Sequence, residues 1–179
     1  SCPEIYLTHY STVDDYRQTS YSKRQKQNLR TGSNRAIKDG ALLESSVEKI
    51  TDGNIEKIIM LSKSKLLDNK SWLYGDENKL NFYKLLYCKF ESNVIFISID
   101  GVKVAYRTNV FFNGMKLCLD ASYERDSPNY ELGIKSVDAN IEDSFNKRLN
   151  IHSLGPGLDP YKLKFTKESN KLYYSLKKG

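Results

Sequence analysis

A tyrosine and a lysine stand side by side at Tyr161 and Lys162, directly after the stretch Gly155-Pro156-Gly157-Leu158-Asp159-Pro160. The phenol is a proton donor and the ammonium a cation with three N–H groups. Two glycines and two prolines in six residues impose a sharp, stiff turn, because glycine accepts positive φ and proline holds φ at about −65°. A flexible linker is built from Gly and Ser without a following Pro-Tyr-Lys, so the turn reads as a rigid presentation of the two side chains. The competing reading is a tight strand connection with Tyr161 and Lys162 on the surface.

A second group with chemical potential is the cationic run Lys23, Arg24, Lys26, Arg30, Arg35 and Lys38, which no acid accompanies before Asp39. At 100° per residue these charges cover several faces of one helix. They suit a phosphate-bearing ligand, with a merely solvated helix face as the alternative. The formal net charge of +6 also favours anionic partners in general. Three cysteines (Cys2, Cys88, Cys118) lie far apart without a C-x-x-C pair. That spacing argues against a disulfide framework or a zinc site and for a reducing, cytoplasmic setting. His9 and His152 are the only histidines, and neither has a context that makes it the partner of a cysteine nucleophile.

The elements that must position these groups follow from local patterns. Ile5–Leu7 reads as a short strand, and Ser11–Asp15 as the cap of a short helix. Ser22 to Lys38 reads as the basic helix, stopped by Asp39-Gly40 and weakened at Gly32. Residues 41–50 read as a strand. From Thr51-Asp52-Gly53 a helix runs with Ile55, Ile58, Ile59, Leu61 and Leu66 at spacings of three and four. A turn region with Trp72 precedes a helix from Asn78 to about Phe90. Val94–Ile99, Val102–Phe112 and Met115–Tyr123 form a meander, because Asp100-Gly101 and Asn113-Gly114 are type I′ turn signals. A helix from Leu132 to about Leu149 follows, with Ile134, Val137, Ile141 and Phe145 on one face. A short strand, the Gly-Pro-Gly turn and an aromatic strand at Lys171–Leu176 close the chain. The expectation is α+β: a central mixed, mostly antiparallel sheet of about six strands, flanked by helices. A chain of 179 residues forms one domain, 1–179, and no apolar run approaches the roughly 18–20 residues of a membrane span.

Gly155-x-Gly157-x-Asp159-Pro160-Tyr161-Lys162-x-x-Phe165 resembles the C-terminal signature of the CelD/BcsL-like acetyltransferases. These belong to the GNAT superfamily and are related to the Fem-type peptidoglycan aminoacyl transferases. Ser22-Lys23-Arg24-Gln25-Lys26-Gln27-Asn28-Leu29-Arg30 through Asp39-Gly40 is similar to that family's opening helix, and together the resemblance covers most of residues 15 to 176. Family members are often longer, with a GNAT-like half before this one. The lack of an initiator Met agrees with a processed chain or with the C-terminal half excised from a two-lobed protein.

The resemblance implies a GNAT-like fold and an acyl transfer, from a CoA-type thioester to an amino or hydroxyl group of an amino-sugar, amino-acid or envelope-polysaccharide precursor, with no metal. It implies that the strand closing the meander splays from the next strand and that the acyl donor enters there, its pyrophosphate on the start of the following helix. Ser127, Asn129, Gly133 and Lys135 occupy that place. The acetyl-CoA fingerprint Arg/Gln-x-x-Gly-x-Gly/Ala is absent from it, so acyl-CoA, another acyl thioester and an aminoacyl-tRNA all stay open as donor. A nucleic acid is a partner only in the last case. Acyl transfer needs a deprotonated nucleophile, an oxyanion stabiliser and an acid for the leaving group. Asp120 and Tyr123 are the carboxylate and phenol on the donor side, Tyr161 the acid, Lys162 the cation at the oxyanion or a donor phosphate, and His152 a second base. Lys23, Arg24, Arg30 and Arg35 would bind an anionic acceptor. A non-catalytic basic nucleic-acid module and an inactive scaffold half are the rival readings.

Overall fold

The computed structural model describes residues 1–64, 73–166 and 168–170. Leu66 and Trp72, and the aromatic strand expected at Lys171–Leu176, lie outside the described residues. In chain order the elements are β1 (Cys2–Tyr6), α1 (Val13–Ser20), α2 (Lys23–Lys38), β2 (Leu43–Lys49), α3 (Asp52–Ser62), α4 (Glu77–Lys89), β3 (Ser92–Ile99), β4 (Val102–Phe112), β5 (Met115–Tyr123), α5 (Leu132–Asn146), β6 (Ile151–Ser153) and β7 (Ser169–Asn170). They build one seven-stranded sheet in the order β2-β3-β4-β5-β6-β1-β7. Every pairing is antiparallel except β5 with β6. Helices cover both faces, so the expected α+β architecture holds.

The local signals explain most boundaries. Thr12, Ser22, Thr51 and Asp76 each accept backbone N–H groups at the start of α1, α2, α3 and α4, which satisfies donors that a helix leaves unpaired. Ser22 and Gln25 form a reciprocal capping box. Asp100, Gly101, Asn113 and Gly114 all take positive φ, as the two type I′ hairpin turns require. The final helix ends three residues earlier than expected because Lys147 caps it and Arg148 turns left-handed.

Two layers of core result. On one side of the sheet, Ile5, Leu7, Tyr16, Tyr21, Val137, Ile141, Leu154 and Phe165 join α1 and α5 to the strands. On the other, Ile58, Leu61, Tyr74, Val94, Phe96 and Tyr106 hold α3 against the sheet, with Ile55, Tyr87 and Val110 beside them. The basic helix packs differently from its apolar pattern. Ile37 is 75% exposed, whereas Gln25, Gly32 and Ala36 are buried. Gly32 is required by close approach: a Cβ there would overlap the backbone carbonyl of Tyr130. The glycine that weakens the helix on propensity is the position where the following segment docks.

Candidate active site: the open stretch of β5

β5 and β6 pair in parallel only at Met115–Ile151, Lys116–His152 and Leu117–Ser153. From Cys118 to Tyr123, β5 keeps its β4 ladder but has no β6 partner, which leaves this edge of the strand open among the described residues. Within that stretch the β4–β5 register shifts between Thr108 and Asn109, which face Asp120 and Cys118 respectively. Leu119 is therefore an extra residue, and the bulge re-aims the side chains that follow it. Cys118 points to the α5 side, beside Arg107. Asp120 points to the α3 side, where Tyr106 donates its hydroxyl proton to Oδ2 at 2.5 Å.

The Gly-Pro-Gly turn is seated at the point where the strands part. Gly155 takes φ +83°, and a Cβ on it would overlap the carbonyl oxygen of Cys118. Only glycine permits this approach. Downstream, Phe165 is buried against Tyr21, and its carbonyl accepts the Tyr16 hydroxyl at 2.8 Å. The turn is thus clamped at both ends. Between the clamps, Tyr161 starts a single 3-10 turn, and its hydroxyl lies within the electrostatic reach of the Arg107 guanidinium. Burial raises the phenol's pKa, and the nearby Arg107 charge opposes that rise.

Lys162 points elsewhere than its place in the motif suggests. It is 5% exposed. Its Nζ donates to the carbonyls of Gly155 at 3.3 Å and Pro156 at 2.5 Å, and it pairs with Asp159 at 3.3 Å. All three donors of the ammonium are directed into its own turn, so the lysine closes the turn rather than facing the open strand. The cation that faces the open strand is Arg107 of β4. It is 5% exposed, donates from Nε to Ser136 Oγ at 3.0 Å and places Nη1 3.8 Å from Cys118 Sγ. Among the described residues it has no carboxylate partner. Sequence reasoning missed it because a lone arginine in Val104-Ala105-Tyr106-Arg107-Thr108 reads as a solvent-facing strand residue. The only signal was its place in an otherwise uncharged strand segment.

His152 is fully buried on β6. Its Nδ1 lies 2.8 Å from Ser144 Oγ, and Nε2 has no hydrogen-bond partner among the described residues. Desolvation, helped by the Lys116 and Arg107 charges, pushes its pKa well below the usual histidine value. It belongs to a polar layer between sheet and α5, not to the open stretch. There Lys116 donates to Asp143 at 2.6 Å, Asn93 donates to Asp143 at 3.0 Å, Asn109 to Asn93 at 2.9 Å and Asn140 to Asn109 at 2.9 Å. Burial lowers the Lys116 pKa to about 8 against the pull of Asp143.

The expected donor-phosphate residues separate. Gly133 faces the gap, with the Tyr123 ring 3.6 Å from where its Cβ would stand. Tyr123 itself is 47% exposed at the end of β5. Lys135 points the other way, to Ser33 Oγ on α2 at 2.6 Å. Ser127 lies half-buried in the loop before α5, and the Asn129 carbonyl accepts from Arg35 Nη1 at 3.2 Å. Asn28, Gly32 and Arg35 of α2 form one stripe with its C-cap Asp39. They meet Glu131, Tyr130, Asn129 and Tyr130 in turn. This stripe fixes the start of α5, and unlike α1 to α4 this helix has no side-chain cap among the described residues. Of the other expected substrate cations, Lys23, Arg24 and Arg30 are exposed, and Arg30 alone lines a cleft.

No family model matches the sequence, and neither does any curated protein. Solved structures do share the fold. FemX superposes with TM-score 0.68 at 9% identity, over 91% of this chain and 57% of that one. The C-terminal domain of a putative lysylphosphatidylglycerol synthetase from Agrobacterium fabrum gives 0.58 at 13% identity, over 92% and 55%. An aminoglycoside acetyltransferase from an uncultured soil metagenomic sample, in complex with sisomicin, gives 0.51 at 15% identity, over 79% and 99%. The fold is therefore the GNAT-like one that these proteins share. The chain spans a little over half the length of FemX and of the synthetase domain structure. Among the described residues, no helix is long and apolar enough to cross a membrane.

Proposed function

We propose that the chain is an acyltransferase, or the acyltransferase half of a longer protein. It would transfer an acyl group from a CoA-type thioester to an amino or hydroxyl group of an amino-sugar, amino-acid or envelope-polysaccharide precursor. One observation carries the reading: the open stretch of β5 brings Arg107 and Tyr161 to one side of the sheet and Asp120 to the other. A donor on the α5 side and an acceptor on the α3 side meet only across such an opening. In this scheme Asp120, held by Tyr106, takes the proton of the attacking group. Arg107 balances the charge that develops on the carbonyl oxygen. Tyr161 returns a proton to the departing group. Lys162 keeps the turn, and with it the phenol, in place.

A second donor class has its own support. The start of α5 lacks the acetyl-CoA fingerprint, and the Glu131 carboxylate beside it accepts from Asn28 at 3.4 Å. A carboxylate at this place disfavours a pyrophosphate, which supports a Fem-like aminoacyl-tRNA donor as the alternative to a CoA-type thioester. The CelD/BcsL-like signature around Tyr161 is compatible with both. Ligand-induced stabilisation against CoA thioesters and aminoacyl-tRNA analogues tests the reading. A donor at about 100 times its Kd adds roughly 2.7 kcal/mol when it binds only the folded state. Failure of both classes to stabilise the protein argues for the scaffold alternative.

A further inference from the structure

We propose that the cleft between α1, α2 and α5 is a phosphate-binding site, formed by Lys26, Arg30 and Ser33 of α2 with Lys135 of α5. The proposal deepens the functional reading by naming where an anionic group of a donor or acceptor rests, and it depends on that reading for its purpose only.

The cleft has a volume of about 520 Å³, and all four residues line it. Positions 26, 30 and 33 fall on one helical face, distinct from the stripe 28, 32, 35 and 39 that holds the start of α5. Lys135 reaches across from α5 to Ser33 Oγ at 2.6 Å, so two helices converge on one hydroxyl. The acids of the cleft are already occupied. Asp138 accepts from Arg17 Nε at 2.9 Å, Arg17 Nη2 at 2.8 Å and the Tyr21 hydroxyl at 2.9 Å, and Asp14 accepts from Arg17 Nη1 at 3.1 Å.

The cations are not neutralised in this way. Lys26 Nζ donates to the Gln18 carbonyl at 2.9 Å, and none of Lys26, Arg30 and Lys135 forms an ion pair among the described residues. Lys135 is half-buried, and burial lowers its pKa against the opposing charge of Asp138, so a further anion in the cleft would favour its charged form. Three cations lining one cleft match the dianionic charge and several acceptor oxygens of a phosphate better than a single carboxylate. The phosphate can belong to a small ester or to an RNA backbone, and the same cleft would serve either.

Calorimetric titration of the intact chain with inorganic pyrophosphate at low ionic strength tests the site. Saturable binding is expected, weakened at least tenfold in Arg30→Gln/Lys135→Gln. It should stay within twofold of wild type in Lys84→Gln/Lys89→Gln, an equal charge change on α4. If the Lys135 change lowers the melting temperature, Arg30→Gln alone carries the comparison. A short RNA hairpin forms the second arm: binding weakened by the same pair assigns the phosphate to RNA, and binding untouched by it assigns it to a small ester. Absent pyrophosphate binding, or equal losses in the two pairs, overturns the proposal. No turnover is involved, so a chain that binds pyrophosphate but transfers no acyl group refutes the acyltransferase reading and leaves this site standing.

Discussion

The backbone of Gly155 lies so close to the carbonyl of Cys118 that no side chain fits between them. This contact sets where the turn meets the sheet, and so where Tyr161 stands relative to Arg107. Gly155→Ala must both overlap that carbonyl and hold an L-residue at φ +83°. A loss of at least about 2 kcal/mol is expected in urea unfolding. Gly101→Ala has a similar φ of +79° but open space around it, and is expected to cost about 1–2 kcal/mol.

Lys162 and Lys164 separate a structural cation from a solvated one. Lys162→Met leaves the Gly155 and Pro156 carbonyls without their donor, and a loss of about 1–3 kcal/mol is expected. Lys164 is exposed, so Lys164→Met should change stability by less than about 0.5 kcal/mol. Activity should fall with Lys162→Met in step with loosening of the turn. A large loss of kcat at an unchanged melting temperature would instead return Lys162 to the role of oxyanion stabiliser.

Arg107 carries the electrostatic part of the proposed reaction. Arg107→Gln should lower kcat by about 10²–10³, the loss typical of removing one preorganised donor at an oxyanion. Arg107→Lys keeps the charge but loses the fork that reaches both Ser136 and Cys118, so it should restore activity only in part. Tyr161→Phe should lower kcat with little change in KM. Steady-state kinetics with the donor found by stabilisation decides these outcomes.

His152 makes the fold sensitive to mild acid. Its folded pKa is held well below 6.5 by burial and by Lys116 and Arg107, so the unfolded chain takes up the proton first. Its contribution is complete above about pH 6.5 and is lost as the pH falls below that value, at about 1.4 kcal/mol per pH unit. Urea unfolding at pH 7 and pH 5.5 should show this slope in the wild type. A markedly smaller slope is expected in His152→Gln.

Much of the frame was legible because its causes are local. Asp100-Gly101 and Asn113-Gly114 dictate two hairpin turns whatever surrounds them. Ser22 with Gln25 starts the basic helix, and the spacing of Ile134, Val137, Ile141 and Phe145 marks the buried face of α5. The sequence likewise marked Gly155–Lys162 as a stiff turn, since φ preferences act within a residue or two. What it did not reveal was where the ends of long-range contacts fall. That Lys162 spends its ammonium on its own turn depends on the turn folding back over it. That Arg107 is buried, with no carboxylate partner among the described residues, depends on α5 packing over β4, 29 residues away at Ser136. The bulge at Leu119 sends Asp120 to the face opposite Cys118, which strict alternation would place on one face. The two stripes of α2 look alike in sequence, and only the docking of Tyr130 on Gly32 distinguishes the one that holds α5 from the one that lines the cleft. Local conformational preference thus determined the elements, while partners far apart along the chain, brought together by packing, decided which side chains were left free to meet a ligand.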